Sequence, residues 1–273
     1  MNNNNKIPYA EIAPFITIYA TLLKDGKLVS PRGLLIKEIE NANYILPPYI
    51  RFANFKARKL NLQYIKQEFL WYLKGDRYDT SITEHASLWK GLVNKDGGIN
   101  SNYGQYINKQ FDNVISILKK DKDSRRASIM ILTAEHLSSE TPDVPCTYAL
   151  NFRIRENKLN MTVHMRSQDA IFGMGNDAPT FSFIQEMIYV TLRSTYPDLV
   201  MGNYHHFVDS LHVYEKHFSM LEEIINNPIE FESIDCPRIF SEDEVDYLRK
   251  TDFSKSSHTS RVHYNFTDWL LSK

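Results

Sequence analysis

Residues 147–166 carry the strongest constraint on how this chain folds. Tyr148, Leu150, Phe152 and Ile154 alternate with Thr147, Ala149, Asn151 and Arg153. After Glu156-Asn157 the pattern resumes, with Leu159, Met161, Val163 and Met165 alternating with Asn160, Thr162, His164 and Arg166. A side-chain period of two belongs to a strand with unlike faces, and two such runs across a short turn predict a β-hairpin. Ala127–Thr133 reads as a buried strand, Gly33–Ile50 as two strands with an irregular link at Glu40–Asn43, and His206–Val213 as a further strand. Apolar residues at three- and four-residue spacing predict helices over Tyr9–Leu23, over Leu60–Lys74 with Gly75 as C-terminal cap, and over Gln105–Lys120. Thr180–Thr195 and Tyr214–Asn226 read as two more, Lys24–Lys27 as a turn, and Asp76–Ser101 as loop with a short apolar piece at Leu88-Trp89. Strands and helices mix without regular alternation, so the expected class is α+β.

The chain has 273 residues, 42% of them hydrophobic, enough to bury a full core. A net charge of −1, with no Lys/Arg run longer than two, argues against a nucleic-acid partner. Two cysteines are too few for a disulfide framework and fit a reducing compartment. The start, MNNNNKIPYAEI, lacks the apolar core of a signal peptide, and no stretch approaches the roughly 20 apolar residues of a membrane helix. The expectation is a soluble cytoplasmic protein with a disordered tail at 1–8 and a polar linker at Ser254–Ser260. The segment after the linker ends on Asp268-Trp269-Leu270-Leu271 and reads equally as a docked helical turn or a flexible tail.

The chemistry-bearing residues cluster around the hairpin. Cys146 opens it directly after a proline, and Arg166, Ser167 and Asp169 close it, followed by a short Gly-containing loop ending in Asn176-Asp177. A thiol, a cation for phosphate and a carboxylate able to read a base edge are what nucleophilic chemistry on a nucleotide needs. A lone cysteine is more often a small buried hydrophobe, but nearby cations would lower a thiol's pKa and make Cys146 a nucleophile. Cys236 has no such company. By spacing alone Arg125-Arg126 read as a solvated turn before a strand, although guanidinium groups also match phosphate. Glu68 lies among apolar neighbours on its helix, which leaves room for a partly buried acid with a raised pKa. His205, His206, His212 and His217 show no metal-ligand spacing, and Gly173-Met174-Gly175 is too short for a dinucleotide or P-loop fingerprint.

Taken together, QEFLWYLKGD around Glu68, INSNYGQYI around Tyr103, DKDSRRASI around Arg125-Arg126, PCTYAL around Cys146, MRSQDAIFGMGND from Arg166 to Asp177, and SLHVYEKHF around His212 and Tyr214 resemble the thymidylate synthase superfamily. The resemblance covers roughly residues 60 to 220, with the motifs in the family's order. It implies a single domain over 1–273 with an α+β, three-layer α/β/α fold whose mixed twisted sheet forms a homodimer interface. It implies that Cys146 attacks carbon 6 of a pyrimidine nucleoside monophosphate. Arg166 and Ser167 would hold the phosphate, with Arg32 as an N-terminal phosphate arginine. Arg125 and Arg126 would reach the phosphate from the partner subunit, and His212 and Tyr214 would bond the sugar 3′-hydroxyl. Glu68 and Tyr103 would handle protons at the base. Trp89, Asp169 and Gly173 would line the site of 5,10-methylenetetrahydrofolate, the one-carbon donor.

The departures from the synthase pattern are informative. Asp177 stands where synthases carry an asparagine that reads uracil. Cytosine offers an amino donor and a ring-nitrogen acceptor, which a carboxyl group can meet. Thr147 replaces a histidine, Asn176 a phenylalanine and Leu92 a tryptophan, and the ending DWLLSK lacks the synthases' C-terminal closing tail. Thr147, Asn176 and Asp177 look like the phage deoxycytidylate hydroxymethylases. That likeness implies hydroxymethylation of dCMP at ring position 5, by water addition to an exocyclic methylene intermediate, in the cytoplasm of a phage-infected bacterium. A dCMP methyltransferase, a CMP hydroxymethylase, a dUMP-using synthase and a non-catalytic nucleotide- or RNA-binding paralogue are the competing readings.

Overall fold

The computed structural model describes residues 9–138, 140–253 and 263–272. The tail expected at 1–8 and the linker expected at Ser254–Ser260 lie outside the described residues. The hairpin forms as its alternation predicts: β4 (Thr147–Arg155) pairs antiparallel with β5 (Lys158–Met165), setting Leu150 opposite Val163 and Phe152 opposite Met161, all buried. Its two turn residues, Glu156 and Asn157, both take positive φ (50° and 56°), the pattern of a two-residue turn whose twist matches the strands.

The hairpin sits inside a seven-stranded mixed sheet with β1 (Lys27–Val29), β2 (Ile36–Leu46), β3 (Ser128–Met130), β6 (Gln168–Asp169) and β7 (Val200–Tyr214). The order is β1-β2-β7-β5-β4-β3, with β6 as a short parallel partner of β7. β7 runs parallel to β5, which ends opposite Val208, so the rest of β7 is free to take up β6. That continuation sets Asp169 directly opposite His212.

The helices are α1 (Tyr9–Asp25), α2 (Leu62–Lys74), α3 (Gly104–Lys120), α4 (Ala134–Ser138), α5 (Phe172–Leu192), α6 (Phe218–Asn226), α7 (Glu242–Lys250) and α8 (Asn265–Leu271). α5 is buried along most of its length and packs on β5 and β7. α2 begins with Asn61 capping the Tyr64 amide (3.0 Å) and ends at Gly75 in the left-handed region. α2 and α3 cross closely enough that a Cβ on Gly104 would lie 1.9 Å from the Tyr72 carbonyl oxygen. α8 docks through Phe266 and Trp269 against Phe69 of α2 and Phe183 of α5, and Lys66 donates to Ser272 at its end. The docked alternative for Trp269 is the one observed. Around Ile45, His205 and Phe207 one sheet face is open: Ile45 is 48% and Phe207 47% exposed.

Several expectations are corrected. Gly33–Ile50 contains one long strand, β2, rather than two. Asn41 takes φ 53° within it, yet the pairing keeps its register, with Glu40 opposite Ser210 and Ala42 opposite Val208. β3 is confined to Ser128–Met130, and α1 runs on through Asp25, so the turn shrinks to Gly26. The Gly-containing loop before Asp177 is not a loop. It is the start of α5, which begins at Phe172 instead of Thr180. β7 reaches Tyr214, so α6 starts only at Phe218.

Candidate active site

The C-terminal ends of β5 and β7, the short β6, the start of α5 and the face of α2 that carries Tyr64, Glu68 and Tyr72 enclose a cleft of about 1390 Å³. Its wall carries Arg32, Glu68, Trp89, Tyr103, Cys146 and Arg166, together with Ser167, Asp169, Gly173, Asp177, His212 and Tyr214. Residues more than a hundred positions apart are thus brought to one surface. Arg125 and Arg126 are exposed just before β3 and do not line it. Thr147 is fully buried and is not part of the wall. Leu92 and Asn176 do line it.

Cys146 is half-buried, immediately before β4. Its backbone N–H donates to the Tyr103 hydroxyl (3.2 Å), and its carbonyl accepts from the Arg166 amide (2.8 Å). The Arg166 guanidinium donates to the carbonyls of Pro145 (3.0 Å) and Val144 (2.8 Å), which fixes the cation beside the cysteine. Burial pushes the thiol up; Arg166 pulls it down, Asp177 and Asp143 push it up again, and Arg32 pulls it down. The net direction is upward, so the expected lowering by arginines does not win in the free protein. Asp143 is itself buried and held by the amide and hydroxyl of Ser101, which ties the Tyr103 turn to the strand carrying Cys146.

Asp177 lies in the second turn of α5. Its Oδ2 accepts from the Gln168 side-chain amide (3.0 Å), and Gln168 Oε1 in turn accepts from the Tyr44 hydroxyl (2.8 Å). Burial, with Asp169 adding to it against the Gln168 hydrogen bond, raises Asp177 to about 7. Glu68 is buried on α2. Its Oε1 accepts from the Tyr64 hydroxyl (2.7 Å), its Oε2 has no hydrogen-bond partner among the described residues, and the Tyr64 oxygen accepts from the Trp89 indole N–H (2.9 Å). Burial and the nearby Asp177 raise Glu68 to about 8, against the Tyr64 hydrogen bond. Two carboxyls that titrate near neutrality in one cleft can hold and move protons at working pH.

Towards the mouth, Asp169 accepts at Oδ1 from the amides of Ile171 (2.7 Å) and Phe172 (3.4 Å), which starts α5. Arg58, buried, donates to the Ile171 carbonyl (2.9 Å) and to Asn176 Oδ1 (3.3 Å), and it packs where a Cβ on Gly175 would collide with it. His212 and Tyr214 meet edge to face (5.3 Å) on β7. Sequence reasoning missed Gln168, Tyr64, Tyr44 and Arg58. The signal for Tyr64 was available, four residues before Glu68 on the same helix face; Gln168 and Tyr44 depend on a contact across the sheet, and Arg58 on contacts with the start of α5.

This chain belongs to the thymidylate synthase family, whose model matches residues 49–261. Among its relatives are the deoxycytidylate 5-hydroxymethyltransferase of Enterobacteria phage T6, 31% identical over 209 residues (71% of this chain, 82% of that protein), and its counterpart in Enterobacteria phage T4, 30% identical over 209 residues with the same coverage. The deoxyuridylate hydroxymethyltransferase of Bacillus phage SP01 is 30% identical over 220 residues, 73% of this chain and 56% of that protein. The match therefore spans little more than half of the SP01 protein's length.

Proposed function

We propose that this protein transfers a one-carbon unit to ring position 5 of dCMP and releases 5-hydroxymethyl-dCMP. The observation that carries this reading is Asp177, a carboxyl with a pKa raised to about 7, in the same cleft as Cys146 and Glu68. Folate-dependent transfer to a pyrimidine nucleotide is the chemistry of the thymidylate synthase family. The residues fit such a co-substrate. The cleft exceeds the usual few hundred to 1,000 Å³ of a small-molecule site, so it has room for a second ligand beside a mononucleotide. Trp89 lines the cleft, and Asp169 keeps Oδ2 without a partner among the described residues. Trp89, Asp169 and Gly173 would hold 5,10-methylenetetrahydrofolate, which supplies carbon at the oxidation level of formaldehyde.

The chain's own groups then have defined tasks. Arg166 and Ser167, with Arg32, bind the 5′-phosphate. The sulfur of Cys146 adds to carbon 6 of the base. Asp177 meets ring positions 3 and 4. It shares one proton with the ring nitrogen and accepts from the amino group, which drains electron density from carbon 6. Glu68, neutral below about pH 8, holds the proton exchanged at the base, and Tyr64 orients it. His212 and Tyr214 receive the sugar. Arg125 and Arg126, outside their own cleft, serve the phosphate of the other subunit in a homodimer formed through the open sheet face around Phe207 and Ile45.

An Asp177→Asn variant tests the base assignment. A carboxamide suits uracil, so the ratio of kcat/KM for dCMP to that for dUMP should fall by about 100-fold or more. An unchanged ratio would remove Asp177 from base recognition.

A further inference from the structure

A carboxyl near its pKa does not by itself choose a base. As a neutral acid it is one donor and one acceptor. With its proton free to sit on either oxygen it can match cytosine, with an acceptor at ring position 3 and a donor at 4, or uracil, with the reverse order. The selection must come from whatever fixes the proton.

The structure contains such a device. Gln168 is 3% exposed, and its amide bridges Asp177 and Tyr44. Tyr44 is buried and lies flat on His206 (4.7 Å between centroids, 8° between planes), so its hydroxyl has little freedom. Burial raises the Tyr44 phenol well above its ordinary value, so it remains a neutral O–H donor. The phenol therefore needs an acceptor, and Gln168 Oε1 is that acceptor. With Oε1 committed, the Gln168 N–H must point at Asp177 Oδ2. A flipped amide would leave the buried Tyr44 O–H without an acceptor, a costly loss. Asp177 Oδ1 has no hydrogen bond among the described residues.

We propose that Gln168, locked by Tyr44, is a specificity-determining positioning residue that keeps Asp177 Oδ2 an acceptor and assigns the carboxyl proton to Oδ1. The pocket then presents one fixed order of donor and acceptor to the pyrimidine edge. This rests on the reading that Asp177 faces the base. It further assigns discrimination to a side chain that need not touch the nucleotide, and to a tyrosine on β2 behind it.

The experiment is titration calorimetry of the full chain with dCMP and with dUMP, for the wild type, Gln168→Met and Tyr44→Phe, with thermal melting as a folding control. The wild type should prefer one nucleotide by at least about tenfold, Gln168→Met should bind both within about threefold, and Tyr44→Phe should fall between. If Gln168→Met does not fold, Tyr44→Phe decides, because it keeps the ring on His206 and removes only the lock. A wild-type ratio retained in the folded variants would overturn the inference and leave the proposed function standing. A wild type that prefers dUMP, with the same relaxation in the variants, would uphold the inference and overturn dCMP as substrate. Failure of both nucleotides to bind would overturn both.

Discussion

At the residue scale, the cleft holds groups whose protonation the fold has shifted. Cys146 is held high in the free protein by burial and two carboxyls, against the pull of Arg166 and Arg32. A Cys146→Ser variant should lose turnover by about 1,000-fold or more yet bind the nucleotide normally, as checked by steady-state kinetics and calorimetry. Glu68 has the clearest stability signature. Its folded-state pKa is raised from an ordinary 4.5 to about 8, so the folded protein holds the proton more tightly than the unfolded chain. Stability from this group is fully present below about pH 4.5 and is lost as pH rises through about 8. A Glu68→Gln variant should therefore melt higher than the wild type at pH 9, by roughly 4 °C or more, and show little difference at pH 5. Equal melting shifts at both values would contradict the buried-acid account. Tyr64 lowers Glu68 through its hydrogen bond, so Tyr64→Phe should move the basic limb of the kcat profile upward in pH. Cys146, Glu68 and Asp177 were legible in the sequence because short motifs surround them. Gln168 and Tyr44 were not, since residues 124 apart meet only after β2 and β6 have both joined β7.

At the element scale, legibility followed how local the forces were. The hairpin was readable because its alternation, its two-residue turn and its burial all agree. The start of α5 was not. Gly173, Gly175 and Pro179 speak against a helix, but Asp169 caps its first amides and Arg58 grips Ile171 and Asn176, so tertiary contacts override weak propensity. Asp177 consequently sits on a helix, a more rigid platform than the loop the sequence implied. The junction of α2 and α3 is equally demanding. A Gly104→Ala substitution puts a methyl group into the Tyr72 carbonyl, so it should cost about 3 kcal/mol of stability by denaturant titration. It should also displace Tyr103, one residue before it, and lower kcat in whatever protein remains folded.

At the scale of the whole molecule, one chain supplies every proposed site residue except Arg125 and Arg126. If these serve a partner's phosphate, two crippled homodimers should rescue each other. Cys146→Ala mixed with the double variant Arg125→Ala, Arg126→Ala, after subunit exchange, should recover about a quarter of wild-type activity, because half of the dimers then carry one complete site. No recovery in dimers shown to have exchanged would return the arginines to the solvated turn that spacing alone favoured.

The most direct measurement for the account as a whole is mass spectrometry of the nucleotide pool after incubation with methylenetetrahydrofolate and equal dCMP, dUMP and CMP. The account predicts a gain of one CH2O unit on dCMP alone. A methyl-sized gain, or modification of dUMP or CMP in its place, would contradict it.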